Sequence, residues 1–215
     1  MRKPESVHAL TELGRVRLSD HFFMRDMLYS EIANFHGIPN IPDFPDLAIE
    51  AGSNLCQKVL EPIYDAFGGV TIRSAYRSPA VNGFGNEQQQ LGKTGYSCAS
   101  NESNYAGHIW DYRLDGCLGA TATIVVPAYL EYFEKTGDYR ALAWWIHDHV
   151  PEHAGMYFFP KLCAFNISWF EGPSDQSIQS YTPPKGTLTR KGMGNFEGDH
   201  SGAYSELIEE GVIHE

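Results

Sequence analysis

Long apolar runs are missing from this chain, and so is any excess of basic charge. No stretch approaches the ~20 apolar residues that a bilayer-crossing helix needs, so no membrane span is expected. Lys and Arg number 16 against 27 Asp and Glu, a formal charge of -11. Phosphate binding depends on clustered cations that release counterions, so nucleic acid is excluded as a partner class. The acidic balance otherwise suits solubility and points to no particular substrate. Cysteine is scarce, and Cys56, Cys98, Cys117 and Cys163 lie far apart, with no C-x-x-C pair to suggest a thiolate zinc site. Buried, reduced thiols are the plain reading. Met1-Arg2-Lys3-Pro4 leads into no apolar segment of the leader type, so synthesis in a cytoplasm is expected. Virion association or release by lysis would leave no mark in the sequence.

What is present is an ordinary folding composition, 42% hydrophobic and 13% aromatic, in a 215-residue chain sized for one core with appendages. Residues 1–17 read as a loose lead-in. A helix is expected from Leu18-Ser19-Asp20, stopped by Gly37 and Pro39. A longer one starts near Pro45, repeats Leu47, Ala51, Leu55, Val59, Ile63 and Phe67 every four residues, kinks at Pro62 and closes at Gly68-Gly69. Val70 to Ser74 reads as a strand leading into the Tyr76-Arg77-Ser78-Pro79 turn, and the Gly-, Asn- and Gln-rich stretch 83–102 as a long loop. Strands are expected over 107–114, 121–126, 156–159 and 163–170, with helices from Pro127 to Gly137 and from Tyr139 to Val150. Beyond Gly172 the chain turns polar and Gly-rich, with a short amphipathic piece at 204–212, which suggests an arm.

Three separated segments carry a pattern: Ser74-Ala75-Tyr76-Arg77-Ser78-Pro79, then Ser103-Asn104-Tyr105-Ala106-Gly107-His108-Ile109-Trp110-Asp111, then Phe165-Asn166-Ile167-Ser168. Their order resembles the active-site segments of the zinc D-alanyl-D-alanine carboxypeptidases, whose fold is shared with the hedgehog signalling domain. The resemblance covers roughly residues 18–172. It implies an α+β domain with a small antiparallel sheet packed against helices, and leaves 173–215 as a C-terminal extension. In that family the first segment supplies an arginine that faces the substrate, the second supplies a histidine and an aspartate to zinc, and the third supplies a second histidine. Here Asn104 and Asn166 stand at the histidine positions, and Asp111 keeps the aspartate position. No carboxylate precedes Asn166 until Glu152, so the family's glutamate base is missing as well.

Neutral amides are weak zinc ligands, so zinc is not expected at Asn104, Asp111 and Asn166; a cofactor is expected only if non-standard ligands are used. On a strand His108 would point away from the face shared by Ile109 and Asp111. His147, Asp148 and Glu152 could form a metal patch, although solvated residues at a helix end are the plainer reading. His200 and His214 have no partner evident in sequence. Arg77 has two readings, a clamp for a ligand carboxylate or a salt bridge to Asp111. Ser78 either touches ligand or caps the turn. Asp111, Asn104, Asn166 and Arg77 together would make a hydrogen-bonded network able to hold a small polar or carboxylate-bearing ligand. Tyr76, Tyr105, Trp110, Tyr157 and Trp169 lie near these segments and read mainly as core.

Three functions are compatible with the sequence. The first is a carboxypeptidase-like protein without zinc hydrolysis that binds peptidoglycan peptides or another small ligand. The second is an active hydrolase using another metal or none. The third is a virion or assembly protein, homo-oligomeric or not, working through its C-terminal arm.

Overall fold

The computed structural model describes residues 1–213, so His214 lies outside the described residues. Helix α1 (Val7–Gly14) is capped by the Ser6 hydroxyl, which accepts from Ala9 N at 3.1 Å. The loose lead-in expected before residue 18 is therefore a helix whose Leu13 is fully buried. The helix expected from Leu18 is two short ones, α2 (Met24–Met27) and α3 (Glu31–His36). Arg17 and Phe23 bridge first, so the chain turns back on itself between α1 and α2. Gly37 ends α3 in the left-handed conformation at φ 64°, where a Cβ would be strained.

The four-residue apolar repeat forms α4 (Pro45–Leu55), a π-helical turn (Cys56–Leu60) and α5 (Glu61–Phe67). Glu61 N reaches back five residues to Cys56 O, so the ladder changes register just before Pro62, which has no N–H to give. Strand β1 (Thr71–Ser74) follows, and then α6 (Pro79–Gln90) occupies much of the stretch expected to be loop. Composition misled here because two local devices outweigh it. Ser78 caps the helix by accepting from Val81 N, and Pro79 sits at its first position. Gly85 is set by packing, since a Cβ there would meet Cys98 Sγ at 2.6 Å.

The chain continues through α7 (Asn101–Asn104), β2 (Gly119–Val125), a 3-10 turn (Pro127–Tyr129), α8 (Leu130–Thr136) and α9 (Arg140–His149). It ends with β3 (Gly155–Phe158), β4 (Phe165–Phe170), β5 (Ser177–Ser180), β6 (Gly186–Thr189), a 3-10 turn (Ser201–Ala203) and α10 (Ser205–Glu209). The strands form one six-stranded sheet in the order β1-β2-β4-β3-β5-β6. The architecture is α+β, but the sheet is not purely antiparallel as expected: β3 and β5 run parallel, with Met156 opposite Ile178. The segment expected to be a free arm beyond Gly172 thus supplies two strands to the sheet, and Tyr204, Leu207 and Ile213 join the common core.

Alternation along the strands sorts the sheet into two faces. Ala120, Ala122 and Ile124 of β2, Phe165, Ile167 and Trp169 of β4, Met156 and Phe158 of β3, and Ile178 of β5 are buried on one face. Against it pack α4 and the π-helical turn. Burying each of the larger side chains contributes about 1.5–3 kcal/mol, which makes this face the main source of stability. Gly52 of α4 lets Trp110 approach, because a Cβ there would lie 2.7 Å from the indole ring. The opposite face carries Thr121, Thr123, Asn166, Ser168, Tyr157 and Ser177, and its polar character creates the cleft described next.

Candidate functional site

The polar face of the sheet floors a cleft of about 330 Å³. Thr121, Tyr157, Asn166, Ser168 and Ser177 line it from the strands; Ser103, Asn104, Gly107 and His108 form one wall, and Asp175 stands on another. Hydroxyl and amide groups pair across the floor. Thr121 Oγ1 lies 2.8 Å from Ser168 Oγ, and Thr123 Oγ1 donates to Asn166 Oδ1 at 2.6 Å.

The wall segment is not the strand expected over 107–114. It folds as successive turns, with Ala106 at φ 54° and only isolated bridges from Tyr105 to Ile109 and from Leu114 to Cys117. Thr121 N donates to Gly107 O at 2.9 Å, which hangs the turn from β2. Strand alternation therefore does not govern its side chains, and His108, expected to face away, lines the cleft. Ile109, Trp110 and Asp111 do not line it and are all buried in the core. Gly119 permits the close approach of this turn: a Cβ there would fall 2.3 Å from Ala106 O and 2.9 Å from the Phe170 ring. Gly119→Ala is accordingly expected to lower stability by about 2–3 kcal/mol in urea denaturation, because the obstructing atom is backbone.

His108 is held in one tautomer. Its Nδ1 lies 2.7 Å from Ala75 O, and a carbonyl only accepts, so Nδ1 carries the proton and Nε2 keeps its lone pair. Burial first, and then the nearby Arg77 guanidinium, push its pKa down to about 3. The ring is neutral at neutral pH. Among the described residues Nε2 has no hydrogen-bond partner.

The amides offer complementary groups. Asn104 donates its NH2 to Asn82 Oδ1 at 3.0 Å, and Asn82 in turn donates to Ala99 O and Asn101 Oδ1. That leaves Asn104 Oδ1 as an open acceptor. Asn166 accepts from Thr123 through Oδ1, which leaves its NH2 as an open donor.

Asp111 does not join them. Its Oδ2 accepts from Asp43 N at 2.7 Å and Phe44 N at 3.1 Å, and its Oδ1 from Tyr76 Oη at 3.1 Å. The carboxylate is 1% exposed, and burial raises its pKa against the lowering effect of these bonds. The network expected among Asp111, Asn104, Asn166 and Arg77 does not form, because these nearer donors saturate the carboxylate. Arg77 makes no ion pair among the described residues. Its N–H donates to His108 O at 2.8 Å, and its Nη1 to Cys98 Sγ at 3.3 Å. Ser78 serves the turn: it is 3% exposed, its hydroxyl caps α6 and donates to Pro39 O, and its backbone N–H donates to Asn40 Oδ1.

The structure thus brings Asn104 and Asn166 to one cleft and adds His108, which strand alternation had turned away. Thr123, across the sheet from Asn166, went unnoticed in the sequence, although the alternation of β2 and β4 puts the two on one face. The donor set does not suit zinc. A zinc site needs about three imidazole, thiolate or carboxylate ligands. The cleft lining holds one imidazole, His108, and one carboxylate, Asp175, and a hydroxyl–amide pair stands at its floor. Comparison with known proteins finds no family model, no curated protein and no solved structure that matches this chain.

Proposed function

We propose that the cleft binds a short peptide and does not hydrolyse it, and that the ligand is of the peptidoglycan type which the carboxypeptidase-like segments suggest. The observation that carries this reading is the open hydrogen-bond set of the cleft: the Asn166 NH2 donates, while Asn104 Oδ1 and His108 Nε2 accept. A peptide unit offers the matching carbonyl and N–H. Buried or half-buried polar groups without partners favour a ligand that completes them.

Chemistry argues against turnover. An imidazole with a pKa of about 3 is a poor proton acceptor at neutral pH, and the Asp111 carboxylate is committed elsewhere. The hedgehog/DD-peptidase fold belongs to the same proposal; it is supported by the order of the three segments and by a helix-backed sheet whose polar face carries the third.

The test is a titration of isotopically labelled protein with diacetyl-L-Lys-D-Ala-D-Ala, followed by amide NMR. Saturable shifts are expected at the side-chain amides of Asn104 and Asn166, with the peptide recovered intact. Asn166→Ala should weaken binding by about tenfold, the worth of one lost hydrogen bond of about 1.4 kcal/mol. Release of D-alanine would overturn the non-hydrolytic assignment, and absence of any shift at millimolar peptide would overturn the ligand class.

A further inference from the structure

Away from the cleft, two histidines and an aspartate converge where α9 meets the C-terminal segment. His147 and Asp148 occupy the last turn of α9, and His200 comes from the loop before the 3-10 turn. One ligand atom from each lies within 4.8 Å of the others. In sequence Glu152 is the nearest carboxylate to the His147–Asp148 pair; the fold substitutes His200, more than 50 residues away.

Hydrogen bonds fix which nitrogens face inward. His147 Nε2 lies 2.9 Å from Phe196 O, and His200 Nε2 lies 3.1 Å from Asn195 O. Carbonyls accept only, so both rings carry a proton on Nε2, which leaves Nδ1 as the nitrogen turned toward the cluster. His147 Nδ1 is buried and has no hydrogen-bond partner among the described residues. His200 Nδ1 stands 2.7 Å from Asp148 Oδ1, and two acceptors at that distance need a cation or a proton between them. Tyr204 Oη donates to Asp148 Oδ2 at 3.0 Å and orients the carboxylate. Imidazoles anchored through one nitrogen to carbonyls, beside a carboxylate anchored by a hydroxyl, are the supporting shell that metal ligands require.

A second observation is independent of this triad. His153 is 1% exposed, both of its ring nitrogens are buried without a hydrogen-bond partner among the described residues, and its ring lies 5.8 Å from that of His147. Buried imidazole nitrogens with nothing to bind are rare in folded proteins.

We infer that His147 Nδ1, His200 Nδ1 and Asp148 Oδ1 bind a divalent transition metal of the zinc class, with the fourth position open to His153 or water. Two imidazoles and a carboxylate suit zinc, copper, nickel or cobalt better than calcium or magnesium. Tetrahedral coordination at about 2.0–2.1 Å places ligand atoms roughly 3.3 Å apart, so the 2.7 Å His200–Asp148 pair need open only slightly. The metal would clamp residues 195–204 to α9 and act structurally. A second group, His21, Glu61 and Asp65, lacks this preparation: it offers one imidazole, which is exposed, and among the described residues no carbonyl anchors that ring.

The experiment uses the full chain, without a polyhistidine tag, stripped by chelator and titrated with Co²⁺ and then Zn²⁺. One equivalent of Co²⁺ is expected to give a tetrahedral visible spectrum that Zn²⁺ quenches, together with a rise in Tm. His200→Gln and His147→Gln should each weaken binding at least 100-fold, whereas His21→Gln and Asn166→Ala leave it unchanged. Circular dichroism checks that each variant is folded, and Asp148→Asn, closest in shape to the native residue, gives a second reading of the same site with an expected loss of at least tenfold. No binding tighter than about 100 μM, or binding unaffected by all three site variants, would overturn the inference. Because the site lies outside the cleft, failure here leaves the peptide-binding proposal standing, and failure there leaves this one.

Discussion

Asp111→Ala is expected to remove about 3–5 kcal/mol of folding stability, read from the midpoint of urea denaturation at unchanged m-value. The change strands three donors at once, Asp43 N, Phe44 N and Tyr76 Oη, in a place that is 1% exposed. Each unsatisfied buried group costs about 1–3 kcal/mol, and the lost packing of the side chain adds to this. Asp111→Asn should cost less, about 1–2 kcal/mol, because an amide oxygen can still accept from both backbone N–H groups while Tyr76 turns its hydroxyl to accept. Tyr76→Phe removes the donor and leaves Asp111 Oδ1 without it, which should cost about 1–2 kcal/mol. A loss largest for Asp111→Ala and smaller for the other two variants identifies Asp111 as a clasp joining the 43–44 loop to the turn that forms the cleft wall. A neutral Asp111→Ala would show that the carboxylate does not hold these donors.

Acidification is expected to destabilise the protein through His108. The unfolded chain protonates this ring near pH 6.5, whereas the folded protein, with the ring buried and facing Arg77, resists until about 3. Between those values the unfolded state binds the extra proton, so stability falls by up to about 1.4 kcal/mol for each pH unit lost. Asp111 contributes with the opposite sign. Its raised pKa lets the folded state take up a proton first, which favours folding as pH falls through that range. The clean readout is therefore a difference curve: His108→Gln, whose amide can still donate to Ala75 O, should flatten the wild-type slope between pH 6.5 and 3 and leave the other groups in place. Identical slopes in the two proteins would show that the imidazole is solvated and titrates normally.

The cleft and the clasp depend on the second segment leaving the strand expected for it while the third keeps to one. Residues 163–170 are expected as a strand, and β4 forms there with Asn166 on the polar face opposite Thr123. Residues 107–111 look equally strand-like, but Ala106 in the left-handed region and the hydrogen bond from Thr121 N to Gly107 O make them a turn. One such bend sends His108 into the cleft and Asp111 into the core, the reverse of what alternation implies. His147 and Asp148 were visible as a pair on one helix end, but His200 was not, because nothing local announces a partner that far along the chain.

Periodicity and punctuation in the sequence determined the α4–α5 rod, the helices after Pro127 and Tyr139, the β3–β4 pair and the glycine stops at 37, 68 and 137. These depend on interactions within a few residues, which a sequence displays directly. Only the tertiary structure decided that β5 and β6 complete the sheet, and which histidines meet which acceptors. Those outcomes depend on contacts between distant segments, where backbone donors and packing volume outweigh local preference.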